Sequence, residues 1–171
     1  MQKILDSLYS GAGWLAALFM VGTLAMVLAS VFGRLLDFNL RGSDAYAGYC
    51  MAAASFLALA QTLKRGEHIR VTLLLHSVGV KANRTLEVAC HTAAVFITCA
   101  LAWYSVRLVW LSHTFVDVSQ GTDATPLWIP QIAMAIGTVL LAVSFIDEFV
   151  TLLTGGSTQR SQTGTEPART E

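Results

Sequence analysis

The stretch Lys64-Arg65-Gly66-Glu67-His68-Ile69-Arg70-Val71-Thr72-Leu73-Leu74-Leu75 decides how the rest of the chain is read, because it is the one strongly charged segment set between long apolar runs. Between Lys64 and Glu87 stand five basic residues, Lys64, Arg65, Arg70, Lys81 and Arg84, against two acids, Glu67 and Glu87. Short loops rich in Lys and Arg are retained on the cytoplasmic side of a membrane. After Gly66 the apolar residues Val71, Leu74, Leu75 and Val78 recur at i, i+3, i+4 and i+7, while Thr72, His76 and Ser77 fall elsewhere. That spacing predicts a short amphipathic helix lying in the membrane surface within residues 64–84. A solvated loop with a few buried leucines is the simpler alternative, since so short a period arises readily by chance.

Outward from this segment the composition is that of a membrane protein. Of 171 residues, 54% are hydrophobic and only 13% charged, with a mean hydropathy of +0.58, whereas soluble domains carry about 25% charge. Zero formal net charge argues against nucleic acid as a partner, because phosphate neutralisation needs a clustered basic face. The basic segment suits anionic phospholipid headgroups better. Cys50, Cys90 and Cys99 are odd in number, lack CxxC spacing and lie inside apolar runs, so they read as packing residues and not as a disulfide framework or a zinc site.

The expected fold class is all-α integral membrane: four transmembrane helices, with the amphipathic interfacial helix between the second and third. The first span, about 7–33, holds no charged residue and exceeds the roughly 20 residues that cross the hydrocarbon. Its length, and Asp6 ahead of it, disfavour a cleavable signal peptide. Ala25, Ala29 and Gly33 recur every four residues and offer a small-residue face to another helix. Gly42-Ser43-Asp44 reads as a turn into the second span, 45–63. Ten of its nineteen residues are Ala, Gly, Ser or Cys, so it is expected to be buried against other helices, with Gly48 and Ala52 among its packing residues. Gln61, near its end, is expected either to bond across helices or, as the simpler reading, to reach water. The third span covers 88–106, with a possible continuation past Arg107 to residue 111, and the fourth 128–153, opened by Pro126 and Pro130 where missing amide donors are harmless. Residues 1–154 thus form one membrane domain, and 155–171, rich in Ser, Thr, Gln and Gly, a flexible tail.

Four spans place both termini on one side. Eight Lys and Arg on that side against three on the other (Arg34, Arg41, Arg107) assign both ends to the cytoplasm. Tyr46, Tyr49, Trp103, Tyr104, Trp110 and Trp128 would then gather near the outer interface, where amphipathic rings settle. A bacterial inner membrane is the expected location.

No Asp, Glu, Lys or Arg falls in the central part of any span and no Pro breaks one, so the midplane ligands and half-helices of an ion-coupled carrier are missing. A haem-binding membrane anchor is the alternative class, since helical bundles can hold haem between histidines. Only His91 lies within a span; it is expected to bond across helices or to point to the near interface. No catalytic or metal-binding constellation is visible.

Gly33-Arg34, a short loop, a small-residue helix, and then Lys64-Arg65-Gly66-Glu67-His68-Ile69-Arg70-Val71 before leucines resemble the small membrane subunit, DctQ type, of tripartite ATP-independent periplasmic (TRAP) transporters. The likeness continues through Thr125-Pro126-Leu127-Trp128-Ile129-Pro130 and covers roughly residues 15–153; Ser43-Asp44 departs from it, because members often carry Glu there. The resemblance implies a small scaffold subunit of an importer in which a periplasmic binding protein captures an organic acid and a large multi-span subunit moves it with sodium. It implies a non-enzyme without cofactor, sodium being bound by the large subunit, and a separate polypeptide. Lys64, Arg65, Gly66, His68, Arg70 and Val71 are the expected lipid and partner interface. Arg34, Asp37 and Arg41 are candidate contacts for the binding protein.

Overall fold

The computed structural model describes residues 2–38, 42–64, 80–121 and 124–154. It contains four helices: α1 (Gln2–Leu35), α2 (Ser43–Lys64), α3 (Val80–Thr114) and α4 (Trp128–Leu153). Within α1, α3 and α4, the stretches Ser7–Leu35, Arg84–Thr114 and Trp128–Leu153 are long and apolar enough to cross a membrane. The small-residue composition of α2 keeps it below that threshold. Its 22 residues still run about 33 Å, the reach of a span.

The helices stand in a row. α1 packs on α2, α2 on α4, and α4 on α3. Three contacts place α1 antiparallel to α2: Gly13 faces the Gln61 amide, Gly22 lies opposite the Cys50 sulfur, and Ser30 and Arg34 meet Asp44. At the α3–α4 seam the His113 and Trp128 rings meet edge to face, with centroids 5.5 Å apart. The second hairpin joins the first through α2 and α4, which run in parallel with Phe56 against Gly137.

Small residues make these seams. α2 buries Ala47, Ala53, Ala54, Leu57, Ala60 and Leu63 between its two neighbours, and side chains this short let helix backbones approach closely. On α3 the buried residues His91, Thr98, Ser105 and Ser112 recur every seventh position. Since α4 is the helix that α3 packs against, these four mark a seam with the heptad period of left-handed helix pairs. The period is present in the sequence as a polar signal inside an apolar run. Two of them bond locally: Thr98 Oγ1 donates to the Ala94 carbonyl at 2.8 Å, and His91 Nδ1 lies 2.9 Å from the Glu87 carbonyl oxygen, which makes it the donor. Thr138 of α4, fully buried, donates to Ala135 at 3.0 Å. Such bonds satisfy hydroxyls where water is excluded.

Several positions differ from the sequence expectation. Gly33 is buried and Ala29 half-buried, but Ala25, Gly48 and Ala52 are exposed, so helix contacts within this chain fall to Ala12, Gly13 and Ala16 of α1 and to the opposite flank of α2. Gln61 is half-buried and lies over the Gly13 backbone, where the missing side chain leaves room for its amide. Residues 80–84, expected in the interfacial segment, belong to α3, because nothing from Val80 to Glu87 is Gly or Pro to interrupt the helix. Residues 65–79 and the tail 155–171 lie outside the described residues. α3 also continues seven residues past Arg107 before ending at Thr114.

At Gly137 an added Cβ would strike the Phe56 carbonyl and come 2.9 Å from its Cβ. At Gly13 it would strike only the swinging end of Gln61. Gly137→Ala is therefore expected to destabilise the protein by about 1–3 kcal/mol. Gly13→Ala should be close to neutral. Thermal unfolding of the two variants in detergent measures the contrast, and equal melting temperatures would remove Gly137 from its place in the α2–α4 seam.

Candidate functional site

Among the described residues, surfaces through which this chain can act include exposed apolar helix faces, two grooves between helices and the loops at one end. α1 and α3, each packed on one flank only, leave large side chains such as Trp14, Leu18, Val21, Phe96 and Trp103 uncovered. On α4, Ile132, Ile136 and Leu140 form a ridge with a groove on each side. The first groove, about 730 Å³, lies between α1 and α4 over Leu57 and is floored by Gly11 and Ala12. The second is a slot of about 410 Å³ between α3 and α4, running from Val106 to Thr114.

The end carrying Arg34, Asp44 and Trp128 is held by local bonds. Asp44 accepts from Arg34 at 3.4 Å and from Ser30 at 3.1 Å; the ion pair is solvent-exposed on both partners. Such a pair contributes at most about 1 kcal/mol. α1 and α3 finish in the same way. The Phe38 amide donates to Gly33 at 2.8 Å across Asp37 with φ 56°, and the Asp117 amide donates to Ser112 at 3.0 Å across Val116 with φ 53°. Both are six-to-one closures over a left-handed residue, a position usually given to Gly. The loop after α3 then folds back, with Ser119 donating to Thr125 and Leu127 to Asp117, and Thr125 Oγ1 donates to the Tyr46 hydroxyl at 3.1 Å. Tyr46 and Tyr49 stack edge to face beside it.

Of the residues singled out from the sequence, Arg34 meets Asp44 and Asp37 closes α1, whereas Arg41 lies outside the described residues. Lys64 is the last residue of α2. Arg65, Gly66, His68, Arg70 and Val71 are outside the described residues. Among the described residues no group of three His, Cys, Asp or Glu side chains gathers to hold a metal. Among the described residues nothing favours haem: His91 and His113 are 22 residues apart on one helix, about 33 Å.

The family model described as "Tripartite ATP-independent periplasmic transporters, DctQ component" matches residues 23–155, well over half of the chain. The chain belongs to the DctQ family. It is thus a small TRAP transporter subunit, from a family of transporter components and not of enzymes, and membership implies association with the large membrane subunit and a binding protein. The comparison with curated proteins gives no match. The match takes in α2, α3, α4 and the last third of α1, so it covers every seam of the row except the contacts made by the start of α1.

Val116 is β-branched, 72% exposed and held at positive φ, a backbone state that costs an L-residue about 1–2 kcal/mol. Val116→Gly is expected to raise stability by about 1 kcal/mol through relief of this strain. Unfolding in detergent tests it, with Val118→Gly as the control; a melting temperature unchanged or lowered by the first substitution would contradict the strain.

Proposed function

We propose that this TRAP subunit is the scaffold of a sodium-coupled, binding-protein-dependent importer of an organic acid, bracing the large subunit while that subunit binds sodium and substrate. The family match carries the reading. Two further features support it. The central parts of the helices hold no charged residue with which to bind a cation or a carboxylate, and a row of helices offers long uncovered faces to a membrane partner.

In this reading all four helices cross the inner membrane, α2 included, because it lies alongside α1 and α4 over the length of a span. The Lys64 end faces the cytoplasm with both termini, as the Lys and Arg distribution directs. Lys64, Arg65 and Arg70 anchor that side to anionic headgroups, at about 1 kcal/mol each. Gly66 and His68 shape the turn from α2 into the surface segment. Arg34 and Asp37, with Arg41, offer contacts to the binding protein on the opposite side. A wall fixed in this way lets the mobile part of the large subunit move against it.

The experiment is reconstitution. The chain alone in liposomes is expected to move no organic acid under a sodium gradient; together with its large subunit and binding protein it should support uptake. Sodium-driven uptake by the chain alone would overturn the scaffold role. Replacing Lys64, Arg65 and Arg70 together by Ala should lower membrane assembly and uptake severalfold, and wild-type co-purification and uptake in that variant would refute the anchoring.

A further inference from the structure

We infer that the slot between α3 and α4 binds one phospholipid from the leaflet at the Trp128 end, with an acyl chain between the helices and the phosphate at Arg107. The slot is graded in polarity. Its body is apolar, formed by Val106, Val109, Ile132, Ala135 and Ile136. Its mouth carries Trp110, His113, Thr114 and Trp128, side chains whose N–H and O–H groups hydrogen-bond at headgroup depth while their apolar parts face the chains. Thr114 already donates to the Trp110 carbonyl at 2.8 Å, which leaves its oxygen as an acceptor. Trp110 and Trp128 supply indole N–H donors for phosphate or ester oxygens.

Arg107 is the independent observation. Since the His113 ring meets Trp128, the end of α3 is level with the start of α4, and Arg107 lies seven residues, about 10 Å, inside Thr114. It precedes Trp110 by three residues and Thr114 by seven, which sets it on the same flank of α3. It is exposed, and among the described residues no carboxylate pairs with it. A guanidinium with no carboxylate partner among the described residues calls for an anion at that depth, and its side chain is long enough to bring the charge toward the headgroups. Guanidinium and phosphate fit each other in shape and charge. A lone apolar groove would accept any hydrocarbon; the cation beside this one selects a chain that ends in phosphate.

The inference rests on the reading as a membrane subunit and is tested on the complex with the large subunit, purified in mild detergent and examined by native mass spectrometry with added phosphatidylglycerol, phosphatidylethanolamine or diacylglycerol. The wild-type complex is expected to retain one phospholipid of either kind and no diacylglycerol. Val109→Trp, which fills the slot, and Arg107→Ala should each lower retention at least fivefold. Arg107→Lys should restore most of it. A phospholipid with a photoreactive acyl chain should label α3 or α4 beside the slot, a readout that needs no variant to fold. Absence of retained phospholipid, equal retention of diacylglycerol, or labelling confined to other helices would overturn the inference. Loss of the large subunit from Arg107→Ala with lipid retention intact would also overturn it, by assigning the guanidinium to a partner carboxylate. Failure of the wild-type chain to co-purify with any large subunit would instead count against the TRAP reading, since lipid retention is scored separately from assembly.

Discussion

The arrangement depends on the close approach of α2 and α4. Each hairpin, α1 with α2 and α3 with α4, packs within itself, and the parallel contact of α2 with α4 is the main junction between the two. At its centre the Phe56 carbonyl occupies the space that a side chain at Gly137 would fill. In lipid there is no hydrophobic gain from bringing apolar helices together, so association relies on van der Waals packing at short distance. Gly137 and the alanines of α2 provide that distance. This also accounts for a helix so poor in large residues: α2 trades individual hydrophobicity for contact on two flanks.

A row held in this way leaves its outer helices half-covered. The apolar side chains of α1 and α3 that remain exposed suit a bilayer or another membrane protein, and the DctQ family has such a partner. The polar groups inside the row are turned to structure. His91, Thr98 and Thr138 bond to carbonyls of their own helices, so they can be buried at the seams without leaving unsatisfied groups in a dry interior. None of these three is a carboxylate or an amine.

The end near Trp128 has a different character. Two helices close there over non-glycine residues in the left-handed region, Asp37 and Val116, and the loop after α3 is tied to α2 through Thr125 and Tyr46. Arg107, two turns inside that end, is the one basic residue placed well within a helix that spans. Strain, exposed apolar loop residues and a cation with no carboxylate partner among the described residues gather at the same end, whereas the opposite end is the one marked by basic sequence.

Much of this was legible in the chain itself. The charge-free run from Ser7 to Gly33, the prolines before α4 and the cluster of Lys and Arg after α2 determined the helices, their approximate bounds and the family, because burial in hydrocarbon forces a long apolar segment into a helix whatever its neighbours. The heptad His91, Thr98, Ser105 and Ser112 was equally present as a spacing. Which small residues serve as contacts was not: Ala25 and Gly48 have the right chemistry and face outward, whereas Gly13 and Gly137 carry the seams. Small residues are compatible with close packing on any flank, and only the relative rotation and level of the helices, set by all the seams at once, selects the ones that touch. The same tertiary registration, through His113 against Trp128, placed Arg107 inside the span and beside a slot.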